Sequence, residues 1–429
     1  MTGIVFFVCF ITGCCLALIR HPIFGLLTYV ATYYLHPPSR WWGVTLPSIR
    51  WSLVAGCITL IAILVQKRKT DPKVVKERRG FLIGYMCFIA WLIIQSTWVM
   101  NPIEHNELIW INIKYIALIW VITSAIDSEK HLLWFCWSHV AGCAYLGWIA
   151  YTNHQGGRFE DFGGPDISEA NAGALQLVSG LFIGSCLLLF PKLKHKVSAL
   201  FSLPLIANAI ILTGSRSAFL SGAIGGLFFN HAAPIRIRRL VRVLSLVATV
   251  AFIILANDNY WTRIGTIKAG GQQIQGVDTG GGRLEIMQAQ FKMFTEHPLG
   301  CGHRCTATLS PMYMDDKLLT GKSSERQRSS HNTFFTLLVE QGVPGVLFYA
   351  SFLIWIISKI AKLRANSKLS EEAITLLAPG IIAFMISICI GDMFIDYLKS
   401  EVRIWFIALM IAITIQTKLQ PVRNTKVRK

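Results

Sequence analysis

The sequence predicts an all-α protein, a polytopic transmembrane helix bundle of about 12 helices with one large external loop containing short amphipathic helices. Three observations carry this. Of 429 residues 53% are hydrophobic and 15% charged, with mean hydropathy +0.50, whereas soluble domains carry about a quarter charged residues. Apolar runs of membrane-spanning length recur along the chain, and continuous runs demand helices, because a barrel would show short alternating segments. Finally, the 41 Lys and Arg that outnumber 23 Asp and Glu fall in short clusters between the runs, which is the positive-inside pattern.

The first run, 3–19, has no basic residues ahead of it and no small-residue cleavage pattern behind it, so it is read as a retained span. Arg20, His21 and Pro22 separate it from 23–36. Taken as one broken element, the two give 12 helices with both chain ends on the basic side. Spans follow at 52–66, 81–100, 108–126, 132–152, 172–190, 197–213, 218–231 and 243–256, with basic clusters at Lys67–Arg79, Lys192–Lys196 and Arg236–Arg242. After the polar stretch 257–332 come 333–358, 373–394 and 404–417, with Lys359–Lys368 between the first two and a basic tail from Lys418. Three regions result: 1–256 with transmembrane helices 1 to about 9, the large loop 257–332, and 333–429 with the last spans and a cytoplasmic tail.

A loop of that length is functional or disordered, and its composition favours function. Arg283 to Phe294 is a helix-compatible run with apolar Ile286, Met287, Phe291, Met293 and Phe294, flanked by Gly280–Gly282 and ended by His297 and Pro298. It reads as an amphipathic helix lying at the outer membrane surface.

The net charge of +18 is accounted for by topology, and no basic face is interleaved with stacking aromatics, so nucleic acid is not an expected partner. Nine of the eleven cysteines lie in apolar runs, where cysteine behaves as a small hydrophobe. Cys301 and Cys305 share one polar loop, and sequence leaves open whether they are bridged. Motifs for nucleotide, dinucleotide, zinc-hydrolase or nucleophile-elbow chemistry are absent.

Four polar constellations interrupt the apolar helices. Gly214-Ser215-Arg216-Ser217 sets an arginine between two hydroxyls at a membrane boundary, which suits an anionic group held by bidentate hydrogen bonds. Arg283 opens the loop helix after a glycine run, where the backbone approaches a ligand closely and a helix amino terminus favours an anion. Ser329-Ser330-His331-Asn332-Thr333 brings an imidazole to the edge of an apolar span, with Glu340, Gly342 and Gly345 beyond; an imidazole there serves as a general base near neutral pH. The loop from Arg158 to Asn171 holds Glu160, Asp161, Asp166 and Glu169 without ligand spacing, so solvated charge is expected rather than a metal. Arg158 and Asn171, which border the seventh span, are its candidate binding residues.

Together these segments resemble the O-antigen ligase and polymerase superfamily of bacterial inner-membrane glycosyltransferases. The resemblance rests on Thr213–Ser217, on Gly282-Arg283 leading to His297-Pro298-Leu299-Gly300-Cys301-Gly302, and on Ser330-His331-Asn332-Thr333 with Glu340-Gln341-Gly342 and Gly345. It implies a multi-pass protein of the inner membrane whose site faces the periplasm, so that 257–332 is a periplasmic loop. The implied reaction moves a glycan from an undecaprenyl diphosphate carrier to an acceptor, with inversion and without nucleotide sugar, metal or cofactor. Arg216 and Arg283 then hold the diphosphate and His331 deprotonates or positions the acceptor hydroxyl, with Arg158, Asn171, Ser215, Ser217 and Asn332 binding substrate. The single late loop resembles ligases, which implies transfer of O-polysaccharide to the lipid A core. A polymerase and a protein O-oligosaccharyltransferase are the alternatives within the superfamily. A transporter lined by Arg216 and Arg283 is the alternative outside it, and no internal repeat of hydropathy supports that reading.

Overall fold

The computed structural model describes residues 1–66, 72–256, 261, 282–319, 326–366, 372–396 and 398–419. Among these are sixteen α-helices, three short 3-10 turns and no strand. Ten helices precede the long loop: α1 (Thr2–Ile19), α2 (Pro22–Leu35), α3 (Trp51–Val65), α4 (Pro72–Gln95), α5 (Pro102–Ala125), α6 (Glu129–Asn153), α7 (Ala170–Leu188), α8 (Leu193–Thr213), α9 (Arg216–Ala232) and α10 (Arg238–Leu255). Within and after it come α11 (Arg283–Glu296), α12 (Cys305–Tyr313), α13 (Thr333–Glu340), α14 (Gly342–Asn366), α15 (Glu372–Gly391) and α16 (Glu401–Leu419). Seven of the described helices are long and apolar enough to cross a membrane: α1, α5, α6, α7, α8, α14 and α15. The chain is an all-α, multi-pass membrane protein.

Burial separates the core from the lipid face. In α7 and α15, 78% of the apolar window is buried inside the protein, against 28% in α1 and 22% in α14. Exposed Ile4, Val8, Leu200, Phe201, Val243, Leu246, Ile354 and Ile357 lie on the peripheral helices, an apolar surface that water would not tolerate and hydrocarbon does. Small residues let the central helices touch, as expected where lipid supplies no drive for helix association. Gly225 of α9 meets α15 so closely that an added Cβ would lie 2.8 Å from the Ala383 carbonyl oxygen. One turn away the Ser387 hydroxyl donates to the Ser221 carbonyl at 2.9 Å.

The two ends of the bundle differ. At one end Arg78 reaches Ser124, Gln66 reaches the Ala17 carbonyl, Lys359 pairs with Glu77 and Gln416 reaches the Ile126 carbonyl. The basic segments near 192–196 and 236–242 emerge at this same end, because α7 to α10 run back and forth between the two. At the other end lie the 36–50, 96–101, 154–169 and 392–400 connections. Here α11, α12 and α13 cross the bundle, held by Trp98 Nε1 on the Gly300 carbonyl at 2.9 Å and Asn101 Nδ2 on Thr308 Oγ1 at 2.9 Å.

Three details depart from the sequence reading. The break at Arg20–Pro22 is a complete reversal rather than a kink: the His21 imidazole caps α2 by accepting from the Ile23 amide at 3.0 Å, and Pro22 has no amide to continue α1. Gly13 then packs on Thr28 and Ala17 against Gly25, so α1 and α2 are antiparallel. Among the described residues thirteen long helices therefore form the bundle, α1–α10 and α14–α16, and Gly3 packs on Thr45 at the end opposite Gln416. The expectation that both chain ends share the basic side is corrected accordingly.

Second, 333–358 is two helices, because Gly342, in the left-handed region at φ 68°, turns the chain between α13 and α14 in a conformation that costs other residues about 1 kcal/mol or more. Third, α11 does not lie on lipid alone. Ile286, Ala289 and Met293 pack with Cys301, Cys305, Leu309 and Val339 into a small core of its own, and Cys301 and Cys305 are joined by a disulfide. The glycine run 280–281 lies outside the described residues.

The reversal has a direct test. Topology reporters fused at Met1 and after residue 419 should score on opposite faces of the membrane, whereas the same face for both would contradict the α1–α2 hairpin.

Candidate active site at the end of the bundle

Helix ends build the candidate site. The α8 helix stops at Gly214, in the left-handed region at φ 55°, and Ser215 then caps α9 by accepting from the Ala218 amide at 3.3 Å. This stop-and-restart places Arg216 as the first residue of α9. Ser215 is buried; its hydroxyl donates to Asn171 Oδ1 at 2.8 Å and lies 3.1 Å from the Ser217 hydroxyl. Asn171, in the first turn of α7, accepts from Arg158 Nη2 at 2.8 Å. Arg158 also donates Nε to the Thr213 carbonyl at 3.0 Å and pairs with Glu160 at 3.2 Å. Arg158, Asn171, Ser215 and Ser217, far apart in sequence, thus form one hydrogen-bonded cluster beside Arg216. With three protein partners, the Arg158 guanidinium fastens the 154–169 loop to the ends of α7 and α8.

A second cluster surrounds the start of α13. Asn332 Oδ1 accepts from the Phe334 and Phe335 amides at 2.9 and 3.2 Å, a double cap worth about 1 kcal/mol. Its Nδ2 donates to the Met393 carbonyl at 3.1 Å. The Thr333 amide donates to the Asp392 carbonyl at 2.8 Å, and its hydroxyl to Asp392 Oδ1 at 3.1 Å and the Ile395 carbonyl at 2.9 Å. Beneath lies a buried ion pair, Asp392 with Arg403, whose carboxylate also accepts from Tyr349. His331, exposed, precedes this anchored cap.

The end of α15 joins the two clusters. Because α9 and α15 run antiparallel with Ser221 at Ser387, the start of α9 faces the Gly391–Met393 end of α15. Gly391 itself packs on Leu175 of α7. Asn171, Arg216 and Asn332 thus lie at the same end, with the amino termini of α7, α9 and α13 carrying partial positive charge toward it. α11 is parallel to α13: Leu284, Gln288 and Phe335 line one open groove of about 640 Å³, while Cys301 bonds Val339 at the far ends of the pair. Arg283, the first residue of α11, is thereby on the side of His331; the Arg283 side chain lies outside the described residues. This arrangement suits an anionic group with an imidazole beside it.

Sequence reasoning missed the residues that anchor these loops. The Glu340 carboxylate takes a hydrogen bond from His303 Nδ1 at 2.7 Å, and Lys399 bonds the other ring nitrogen. Asp396 is pushed up to about 6 by burial and by the neighbouring Glu340 carboxylate. Asp166, exposed as the sequence leads one to expect, accepts from the Glu401 amide at 3.2 Å. The available signal was an ionisable residue inside or beside an apolar span, which is costly in hydrocarbon and therefore marks a partner.

Among the described residues one set of donors is close enough to hold a metal, His21, Asp127 and His131, at the basic end. His21 Nδ1 accepts from the Ile23 amide, so in the neutral ring Nε2 carries the proton and donates to Asp127 at 3.0 Å. The nitrogen that a metal would need is a donor, and the set joins α2 to α6 through hydrogen bonds, with His131 on the other Asp127 oxygen at 2.6 Å.

Residues 200–350 match the family model described as O-Antigen ligase. The match includes Ser215–Ser217, α9, the loop, α11 and α13, and it supports the resemblance to the O-antigen ligase superfamily, whose members are ligases and polymerases of glycosyltransferase type. No curated protein matches the chain.

Asn171→Ala should leave Arg158 Nη2 and the Ser215 hydroxyl without their shared acceptor. The expected cost is about 1–3 kcal/mol, read as a lower denaturation temperature in detergent; an unchanged temperature would show that the cluster contributes no stability.

Proposed function

We propose that the protein is an O-antigen ligase of the bacterial inner membrane, which transfers O-polysaccharide from undecaprenyl diphosphate to the lipid A core at the periplasmic face. What supports this reading is that the starts of α9, α11 and α13, where Arg216, Arg283 and His331 stand in the sequence, lie at the end of the bundle opposite the basic segments. Basic segments mark the cytoplasmic side, and the Cys301–Cys305 disulfide suits an oxidising compartment. Both support a periplasmic site. A lipid-linked donor demands such a place, because its diphosphate lies at the bilayer surface.

In this reading Arg216 and Arg283, with the amino termini of α9 and α11, bind the diphosphate and stabilise the charge that develops on it as it leaves. His331 takes the proton of an acceptor hydroxyl. The oxygen attacks the anomeric carbon from the face opposite the diphosphate, the new C–O bond forms as the C–O–P link breaks, and the diphosphate departs with the bonding electrons. Inversion follows. The exposure of His331 leaves room for a bulky glycan to approach. Asn332 fixes the backbone of His331 through its cap and the Met393 carbonyl, and the second proton of its amide is the one offered to substrate.

The carrier's tail needs hydrocarbon rather than hydrogen bonds, at about 0.8 kcal/mol per buried CH₂. A groove of about 250 Å³ between α4, α14 and α16 supplies it, lined by Phe81, Tyr85, Phe88, Phe348, Phe352 and Trp355. The groove reaches Leu398 and Arg403, next to the loop that anchors α13.

Purified protein mixed with lipid-linked O-antigen and rough lipopolysaccharide should yield ladder-length lipopolysaccharide. Chain growth on the carrier instead would identify a polymerase, and no product would remove the transferase reading. His331→Ala should abolish transfer while donor affinity stays within about threefold, less than 1 kcal/mol. Arg216→Ala should weaken donor binding by about 1.5–3 kcal/mol, the range of a charge-assisted hydrogen bond. An active His331→Ala enzyme would remove the base assignment.

A further inference from the structure

One half-buried ammonium group, unused by the transfer chemistry, hydrogen-bonds a histidine and acts on two carboxylates. Lys399, in the α15–α16 connection, hydrogen-bonds His303 Nε2. An ammonium has no lone pair, so Nε2 is the acceptor and the ring proton is on Nδ1, which donates to Glu340 Oε2 at 2.7 Å. The His303 amide in turn donates to His105 Nδ1 at 3.2 Å, and His105 Nε2 donates to the Leu92 carbonyl at 2.8 Å. The ring protons of both histidines between Lys399 and α4 are thereby assigned.

On its other side the Lys399 charge acts on Asp166 and Asp396. Asp166 accepts the Glu401 amide, Glu401 accepts the Tyr29 hydroxyl, and the Lys399 carbonyl accepts the Tyr115 hydroxyl. These contacts span three loops. The 154–169 connection carries Arg158 at one end and leads to Asn171. The 300–304 segment is tied to the end of α13 by the Gly302 amide on the Glu340 carbonyl at 2.9 Å. The 392–400 connection holds Asn332 and Thr333.

We infer that Lys399 is a positioning residue, whose ammonium joins the three loops carrying the candidate site and sets the separation of the Asn171–Ser215 cluster from His331. Remove the cation, and Asp396 faces Glu340 and Asp166 faces Glu401 without it, while His303 Nε2 loses its donor. Carboxylates packed without a counter-charge separate or take up protons, and either change moves the 392–400 connection on which Asn332 hangs. Lys399 need not touch substrate for this.

The inference rests on the transferase reading for its kinetic consequence and stands on its own for its geometric one, so the experiment reads both. With the exposed cysteines Cys9, Cys15, Cys57 and Cys87 replaced by serine, spin labels at Ser168 and Met393 report the separation of two of the loops. The parent protein should give a narrow distance distribution, Lys399→Met a broad or shifted one, and Lys399→Arg a return toward the parent. In the transfer assay Lys399→Met should lower kcat about 100-fold, the scale of an ångström-level misplacement, with donor Kd within about threefold and partial recovery in Lys399→Arg. An unchanged distance distribution in Lys399→Met overturns the inference whatever the activity, and so does wild-type kcat in that variant. Absence of transfer by the wild-type protein, with the distance change present, would overturn only the transferase reading. Should Lys399→Met fail to accumulate, His303→Gln interrupts the same link and is held to the same distance criterion.

Discussion

The structure depends most on one buried ion pair, Asp392 with Arg403. Both side chains are essentially excluded from solvent, and the pair is bidentate, with the carboxylate also accepting from Tyr349 and Thr333. Four helices meet there: α13 through Thr333, α14 through Tyr349, α15 through Asp392 and α16 through Arg403. Burying two charges costs several kcal/mol per ion, which the bidentate pairing and the Tyr349 and Thr333 hydrogen bonds to the carboxylate offset. Such a pair adds little net stability compared with packed hydrocarbon. It does fix geometry, because neither partner has an alternative once the other is in place, and the backbone fixed in this way carries Asn332 and His331.

The site thus follows from where helices stop. Gly214 ends α8, Ser215 starts α9, Asn332 starts α13 and Gly342 separates α13 from α14. The starts of α9 and α13 bring positive helix termini to the same end of the bundle. A protein that holds an anionic lipid headgroup without a deep polar cavity needs such an arrangement, since the surrounding hydrocarbon leaves no room for scattered polar side chains. The opposite end carries the clusters of lysine and arginine, the side that the proposed orientation assigns to the cytoplasm.

Much of this was legible in the sequence. Apolar runs located the long helices, since length and hydropathy depend only on local composition, and the Arg283–Phe294 run was helical as its pattern required. The glycine, serine and asparagine at helix ends also spoke locally, so the Gly214–Ser217 and Ser330–Thr333 segments stood out. What remained hidden depended on pairing across long separations. Nothing in the neighbourhood of Arg403 names Asp392 as its partner, and His303 looks like an ordinary loop histidine until Glu340 and Lys399 are placed on its two nitrogens. The α1–α2 reversal was hidden for another reason. A kinked helix and a tight hairpin use the same proline, and only the packing of Gly13 on Thr28 decides between them.

The central claim is that the Asp392–Arg403 pair holds the end that carries the candidate site together, and a double-mutant cycle tests it most directly. Asp392→Leu and Arg403→Leu should each destabilise the detergent-solubilised protein by about 3–5 kcal/mol, because each leaves an unpaired buried charge. The double variant should cost at least about 2 kcal/mol less than the sum of the two. Single costs that add within about 0.5 kcal/mol would show that the two side chains act independently, and the account of how His331 is held would fail with them.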